Sequence, residues 1–465
     1  MKVTSHPQRR SARGVRLAVG IAVSAVVLAG CAAPSTPSST PTALPDVTTL
    51  TNEELVAAAQ AKALEIVGGE KTTGALTFIS TTGGQEGERI KALIQPFVDG
   101  SGITVDYQST PDVKAVVQTQ VSGGNAPDVV IDSIGLMRQF VESGDVASLD
   151  TVLDRDAMID QFGESVIDQY SVDGKLYGVP GATHNYQFWY NKKVYTGPTE
   201  PSTWDEILEW AEGEVKDGKP SPFCMTLNQG ANTASTAGQF IDNLFLKEYG
   251  PEALANVADG KTKFSGKEMK ATFEKFLTLF EDGLVYGGAP NALSQPTIQG
   301  AAGMFTDPQQ CQIVYWGSFV PGVIASQNAD LVAGEDFDYF TLASDNSDYD
   351  SALYTHGWTT FSFNDDPATQ AFMQYYASVE FQSLAASTGG WVMGNRAVPT
   401  QTYPSETQQA IAQTLQEGQP VYGPFNILAT APRKAYLDAI VVLIQDPSQL
   451  KTQLQLIDDA IAASK

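Results

Sequence analysis

Residues 75–132 read ALTFISTTGGQEGERIKALIQPFVDGSGITVDYQSTPDVKAVVQTQVSGGNAPDVVID, and this stretch decides the fold. Apolar side chains run or alternate at 75–80, 103–107 and 129–131, which predicts three strands. Between these strands apolar residues recur at helical spacing, and the Gly-Ser-Gly triplet at 100–102 is predicted to end the first helix. Strand, helix, strand, helix and strand within about sixty residues predict a parallel α/β sheet.

Polar segments follow two of the predicted strands. They lie at residues 83–86 and 132–133. Ligands of open α/β sheets bind in the loops at the carboxyl ends of the strands. Both segments are therefore candidates for the ligand-binding site.

The rest of the chain continues the α/β pattern. Residues 188–190 (FWY) predict a short apolar strand, and residues 201–206 (PSTWDE) predict a capped helix start. Apolar residues at helical spacing within 269–280 and 437–457 predict helices that belong to the core.

The N-terminus has the pattern of an export signal. Residues 1–16 carry five basic and no acidic side chains, and the apolar stretch 15–29 is too short to span a bilayer of about 30 Å. Leu-Ala-Gly-Cys at 28–31 resembles a bacterial lipobox, which predicts a lipoprotein signal peptide at 1–30 and lipidation, including palmitate, at Cys31. The alternative is an ordinary signal peptide with an incidental cysteine.

The segment after Cys31 is rich in Pro, Ser and Thr, and residues 31–50 are predicted to be a linker between the lipid and a globular body. The whole chain carries a net charge of −25. Loss of residues 1–30 would leave 23 basic against 53 acidic side chains. This charge argues against nucleic acid as a partner and against docking on anionic lipid.

Common catalytic signatures are absent from the sequence. The chain has no GxGxxG, GxxxxGK[ST], HExxH or GxSxG motif, and only His184 and His356 remain beyond the predicted signal peptide. We therefore expect no cofactor, no metal and no enzyme activity. A carboxylate pair of a glycosidase stays open, because the many acidic residues offer many pairs and none stands out.

Two cysteines, Cys224 and Cys311, remain after the predicted signal peptide. In an oxidising compartment two such cysteines most often form a disulfide. Two buried free thiols are the alternative, because spacing alone does not establish contact.

Four segments combine amides or histidines with aromatic rings, at 184–186 (HNY), 228–229 (NQ), 356–358 (HGW) and 389–391 (GGW). Sugars offer apolar C–H faces to rings and hydroxyls to polar side chains, so these mixtures suit carbohydrate recognition. A tryptophan after glycine is also often a packed core ring.

Several motifs in order resemble one known family. They lie at 97–105 (FVDGSGITV), 120–129 (QVSGGNAPDV), 177–180 (YGVP) with 190–193 (YNKK), 201–206 (PSTWDE) and 363–365 (FND). Across residues 73–460 the chain resembles the extracellular solute-binding proteins of bacterial carbohydrate ABC importers. The likeness is to the type related to maltodextrin-binding protein, and within it to the α-glucoside-binding branch.

The resemblance implies a two-lobed periplasmic-binding-protein fold of the α/β class. Each lobe would be a mainly parallel sheet flanked by helices, with ligand in the interlobe cleft. Lobe 1 would take residues 72–181 and 338–388, and lobe 2 residues 182–337 and 389–465. The α-glucoside-binding branch has a cysteine pair at corresponding positions, which favours the bridge.

The resemblance also implies ligand contacts. They map to Gln85, Asp132, His184, Asn185, Gln229, Trp358 and Trp391, with Phe425 as a further stacking candidate. Residues 232–241 (NTASTAGQFI) lack the tryptophan expected in the α-glucoside-binding branch. A pocket that is specific for α-glucosides is therefore not expected from this segment. Asp132 could instead cap the following helix, and His184 could satisfy a backbone carbonyl.

The function expected from the sequence is the lipid-anchored, monomeric substrate-binding subunit of an ABC importer on the outer face of the cytoplasmic membrane. It would capture a sugar or oligosaccharide and deliver it to the permease. The alternatives are a solute-binding protein for a polyamine or peptide, an extracellular glycosidase, and a surface adhesion protein without a small ligand.

Overall fold

The computed structural model describes residues 52–464, apart from Pro111, Asp345 and the side chain of Gln85. The predicted signal peptide, the lipidation site Cys31 and the linker at 31–50 lie outside the described residues. Within the described range, no helix has the length and apolar character needed to cross a membrane.

The α-helices in this range follow one another along the whole chain. They are α1 Glu53–Ile66, α2 Gly84–Ser101, α3 Val113–Ser122, α4 Ile134–Glu142, α5 Arg155–Phe162, α6 Glu164–Gln169, α7 Trp204–Lys216, α8 Ser235–Tyr249, α9 Pro251–Ala258, α10 Lys267–Leu277, α11 Gly288–Ser294, α12 Ile298–Gly303, α13 Val320–Gln327, α14 Pro367–Ala377, α15 Val379–Ser387, α16 Glu406–Glu417, α17 Pro424–Ile427, α18 Thr430–Gln445 and α19 Leu450–Ala463.

The strands are shorter and fewer. They are β1 Gly74–Ser80, β2 Ile103–Ser109, β3 Val129–Asp132, β4 Ser171–Val172, β5 Lys175–Leu176, β6 Val179–Asn191, β7 Ser221–Phe223, β8 Cys311–Gly317, β9 Phe337–Phe340, β10 Ala352–Ser362 and β11 Gln419–Val421.

The predicted parallel unit at the start of the chain is confirmed. Strand β1 lies between β2 and β3 and is parallel to both, with Phe78 opposite Tyr107 on one side and Val129 on the other. Helices α2 and α3 connect these strands. This order places the carboxyl ends of β1 and β3 side by side at one edge.

Strand β6 joins this unit to a second group of strands. Its first part pairs antiparallel with β10, which in turn is antiparallel to β3. Its last part, from Tyr186 onward, pairs antiparallel with β8 and β9, and β8 is parallel to β7. The α/β class is thus as predicted, but the expectation of mainly parallel sheets is only partly met. The sheet is mixed, because the long strands that connect the two groups run against their neighbours.

Strand β6 is also longer than the sequence indicates. The predicted strand at 188–190 is its final part, and all thirteen residues of β6 are buried. Residues 179–187 mix small, polar and apolar types, so no alternation marks them as a strand. Neighbouring strands bury this segment and complete its backbone hydrogen bonds.

Glycines at the end of α2 have two different roles. Gly102 ends the helix with a φ of 81°, and a Cβ there would lie 2.5 Å from the carbonyl oxygen of Thr72. Gly100 lies inside the helix, so the prediction that it helps to end α2 is wrong. The missing side chain instead lets α1 approach at Gln60 and Ala63.

The predicted core helices are confirmed. Helix α10 buries Met269, Phe273 and Phe276, and α18 and α19 bury Ile440 and Ile457. Helix α7 begins as predicted, with the hydroxyl oxygen of Thr203 accepting a hydrogen bond from the backbone N–H of Glu206 at 3.2 Å.

Candidate ligand-binding site

A cleft of about 710 Å³ opens at the carboxyl ends of β1 and β3. Its other walls come from the start of α3, the middle of β10, the short 3₁₀ turn Gly230–Asn232 and one face of α18. A cavity of ligand size thus supports the prediction for residues 132–133, which line it. The loop after β1 contributes Thr81 to the lining, whereas Gly83, Gly84 and Glu86 of the predicted segment are outside it.

Asp132 lies in the cleft at the end of β3. Its Oδ1 accepts hydrogen bonds from the backbone N–H and the hydroxyl of Ser133, at 2.6 and 2.8 Å. Ser133, not Asp132, caps α4 by accepting from the N–H of Leu136. The alternative that Asp132 is the helix cap is therefore wrong. Its Oδ2 has no hydrogen-bond partner among the described residues.

Trp358 and Trp391 form one aromatic pair at the cleft. Their ring centroids are 5.0 Å apart at an interplanar angle of 62°. Trp358 is half-buried and lines the cleft, whereas Trp391 is only 4% exposed and lies behind it. The guanidinium of Arg89 lies 5.1 Å from the ring centre of Trp391. Trp391 thus supports Trp358 rather than facing the cleft.

His356 brings a hydrogen-bond acceptor to the cleft. Asn426 donates from Nδ2 to the hydroxyl of Tyr354 and to the carbonyl of Thr355, so its Oδ1 is the atom that accepts from His356 Nδ1. Burial lowers the pKa of His356 to about 4, so the ring is neutral near pH 7. Its Nε2 is therefore unprotonated and able to accept a hydroxyl proton of a ligand.

A buried carboxylate supports this arrangement from behind. Asp242, on α8, accepts hydrogen bonds from the backbone N–H of Phe425 at 2.9 Å and from the hydroxyls of Tyr436 at 3.0 Å and Tyr354 at 3.4 Å. Tyr354 in turn accepts from Asn426, which holds His356. The chain Asp242–Tyr354–Asn426–His356 therefore ties α8, β10 and α17 to the cleft.

Burial raises the pKa of Asp242 to about 7, against the opposing effect of its three donors. In the unfolded chain the Asp242 carboxyl group loses its proton near pH 4, whereas in the folded chain it keeps the proton up to about pH 7. Because the folded state binds more protons over this range, the free energy of unfolding should fall as the pH rises from 4 to 7. We expect the wild type to lose stability relative to Asp242→Asn over that range. Chemical denaturation at several pH values measures the difference, and a difference that does not change with pH would contradict it.

His184 and Asn185 lie within β6 and are outside the cleft lining. His184 is 6% exposed, its Nδ1 lies 3.1 Å from the hydroxyl of Ser318, and the edge of its ring contacts Phe319. Burial lowers its pKa to about 3. It bonds a serine hydroxyl and not a backbone carbonyl. Asn185 is 1% exposed and donates to Gln187 at 2.7 Å.

Gln229 and Gln85 lie at the margins of the site. Gln229 is exposed, and its Oε1 accepts from Ser235 at 2.6 Å, while the turn that follows it lines the cleft. Gln85 belongs to the first turn of α2, and its side chain is outside the described residues. Direct ligand contact by Gln85, His184, Asn185, Gln229 and Trp391 stays a prediction. Phe425 is buried beneath Arg433.

Three cations of the cleft are absent from the sequence prediction. One, Lys434, pairs with Asp438, and the other two are Lys114 on α3 and Arg433 on α18. Both line the cleft, and the Arg433 guanidinium lies 4.3 Å from the ring centre of Phe425. Burial lowers the pKa of both side chains, and the charge of Asp132 opposes that effect in each. The apolar periodicity of α18 marks it as a core helix, which hides the face that carries Arg433.

The two cysteines form a disulfide, as predicted. Cys224 follows β7 and Cys311 begins β8, and the bond joins these parallel neighbours with a Cα–Cα distance of 5.2 Å. Both residues are buried, and neither lines the cleft described above.

Comparisons with known proteins agree with this architecture. The chain is 24% identical over 358 residues to the osmoprotective compounds-binding protein of Synechocystis, covering 76% of this chain and 84% of that one. It is 24% identical over 314 residues to the α-glucosides-binding periplasmic protein of Rhizobium meliloti, covering 64% and 68%.

Among solved structures, the bacterial solute receptor AcbH, described as exclusively preferring β-D-galactopyranose, has a TM-score of 0.68 at 17% identity. The match covers 84% of this chain and 99% of the receptor, which shows a shared two-lobed fold. Residues 82–383 match the family of bacterial extracellular solute-binding proteins. The chain belongs to this family.

Proposed function

We propose that the chain is the substrate-binding subunit of an ABC importer that captures a sugar or oligosaccharide outside the cell and delivers it to a membrane permease. The observation that carries this proposal is the position of Trp358 beside Asp132 and His356 in one cleft. An aromatic ring next to hydroxyl acceptors suits the apolar faces and hydroxyl edges of a sugar ring.

The similarity to a protein named for binding α-glucosides supports a carbohydrate ligand. We infer that binding closes the cleft and that the permease recognises the closed form. The work of the protein is then differential affinity between two conformations rather than chemistry.

A calorimetric screen tests the sugar assignment. The purified full-length protein in detergent is titrated with mono- and oligosaccharides, polyamines and short peptides. Saturable binding of one sugar series is the expected result. If only a polyamine or a peptide binds, the proposed role in transport stands and the proposed sugar ligand is wrong. Turnover of an oligosaccharide in the same sample would instead identify a glycosidase.

We also propose that Cys31 carries the lipid anchor. Replacement Cys31→Ser should abolish incorporation of labelled palmitate and release the protein from the membrane fraction, because no thiol remains for acylation. Growth with labelled palmitate, followed by fractionation, measures both effects. Unchanged labelling of the variant would show that Cys31 is not the acylated residue.

A further inference from the structure

We propose that the sugar bound in the cleft carries one negatively charged group, such as the carboxylate of a sugar acid, and that this group lies between Lys114 and Arg433. The inference rests on the proposed sugar-binding function and narrows it to an acidic carbohydrate. It follows from the half-buried charges of the cleft, from the helices that begin there and from the buried Nε of Arg433.

Neither cation has an ionic partner in the described part of the chain. Neither side chain makes a hydrogen bond or ion pair there, and the Arg433 guanidinium lies over the Phe425 ring. Arg433 Nε is buried without an acceptor. By contrast Lys434, the next residue on α18, pairs with Asp438. A buried donor without an acceptor is costly, and an anionic ligand group would supply the acceptor.

The two cations also act on each other. Both line the same cleft, and the charge of Arg433 adds to burial in lowering the pKa of Lys114. Asp132 is the carboxylate that attracts both, but it forms an ion pair with neither and its Oδ1 is already bound to Ser133. Two half-buried positive charges therefore face one half-buried negative charge.

Helix positions strengthen the positive potential. Helices α3 and α18 both begin at the cleft, and neither has a side-chain hydrogen bond at its N-cap. The free N–H groups of a helix N-terminus carry a partial positive charge that favours an anion. The carboxylate of Asp112 at the start of α3 is exposed and lies at the rim.

The balance inside the cleft sets the ligand charge. Of the charged residues that line the cleft, Lys114, Arg433 and Asp132 are half-buried and sum to one positive charge. The other three are exposed, so solvent and salt screen their charges; they are Lys434, Asp438 and Asp112. A single carboxylate neutralises the half-buried charge, and a phosphate dianion exceeds it. The same charges disfavour binding of a polyamine, because Lys114 and Arg433 would repel its protonated amines. In a chain with a net charge of −25, the half-buried part of this cleft thus carries a positive charge.

Matched ligand pairs test the inference on the purified full-length protein. Calorimetry compares glucose with glucuronate, galactose with galacturonate, and maltose with maltobionate, at low and high salt. We expect the acid of one pair to bind at least tenfold tighter than its neutral partner, with weaker binding at high salt. Acetate, glucose 6-phosphate and spermidine complete the panel.

Single substitutions test whether the charges of Lys114 and Arg433 bind the acidic group of the ligand. Lys114→Met and Arg433→Met should each weaken binding of the acid roughly 10- to 100-fold, the range expected for a charge-assisted hydrogen bond. Lys270→Met is the matched control and should have little effect, because Lys270 pairs with Glu274 on α10 and is outside the cleft lining. Arg433→Lys keeps the charge and should retain most of the preference if Arg433→Met fails to fold.

Each other outcome overturns a defined part of the proposal. Equal or tighter binding of the neutral sugar would reject the anionic group and leave sugar binding intact. Binding of acetate as tightly as of a sugar acid would reject the sugar and keep an anion site. If glucose 6-phosphate binds more tightly than the sugar acids, the proposal that the ligand carries a single negative charge is rejected. Binding of none of the sugars, neutral or acidic, would reject the inference together with the sugar function.

Discussion

Replacing Trp358 by alanine should weaken sugar binding by about 2 kcal/mol or more, roughly 30-fold in the dissociation constant, as expected for a tryptophan at the centre of a binding site. Trp358 lines the cleft, and its other face is supported by Trp391. Removing it takes away the aromatic surface without changing Asp132 or His356. Calorimetry with the sugar found in the screen measures the loss.

The matched control is Trp210→Ala. Trp210 is also half-buried, but it packs against Tyr195 away from the cleft. We expect this variant to bind sugar with unchanged affinity. The far-UV spectra of both variants should match that of the wild type. If the Trp358 variant keeps the native affinity, the ring contributes to packing and not to ligand binding.

Removing the disulfide should lower the free energy of unfolding by about 4–5 kcal/mol in the chain-entropy model. The bond joins residues that are 87 positions apart, so it restricts a long loop of the unfolded chain. The double variant Cys224→Ala with Cys311→Ala is compared with the wild type by chemical denaturation, with and without reductant.

The double variant also controls for the reductant. Reductant should destabilise the wild type and leave the double variant unchanged, because the variant has no bond to break. Sugar affinity should survive in both, since neither cysteine lines the cleft. Two thiols that react in the unreduced, denatured wild type would show that the bond is absent.

Much of the fold could be predicted because its signals are local. Alternating or continuous apolar residues mark β1, β2 and β3, and the helical spacing in α10, α18 and α19 marks their buried faces. Local signals of this kind do not predict the length of β6 or the antiparallel pairs that make the sheet mixed. Residues 179–187 have no periodic pattern, and their strand conformation depends on pairing with β10.

The candidate site was predicted in part. Asp132 lies in the cleft because it ends β3, a strand that the apolar pattern predicts. Trp358 also lies there, as the family resemblance implies, but it belongs to β10, which no sequence pattern marks. His184 and Asn185 are buried within β6, because β8 and β10 pair on either side of that strand. Trp391 has the right residue type but lies behind Trp358, and no local signal separates a ring that faces ligand from one that supports it.

The sequence by itself determined the order of strands and helices in the first parallel unit, the family, and the edge of the sheet at which the candidate site lies, since these depend on short-range periodicity and on motifs in order. Only the tertiary structure decided which charges share the cleft. Lys114 and Arg433 lie on helices far apart in the chain, and each looks like an ordinary surface or helix residue in its own segment. Long-range packing of α3 and α18 brings them to the same cavity, and their unpaired charge exists only in that folded arrangement.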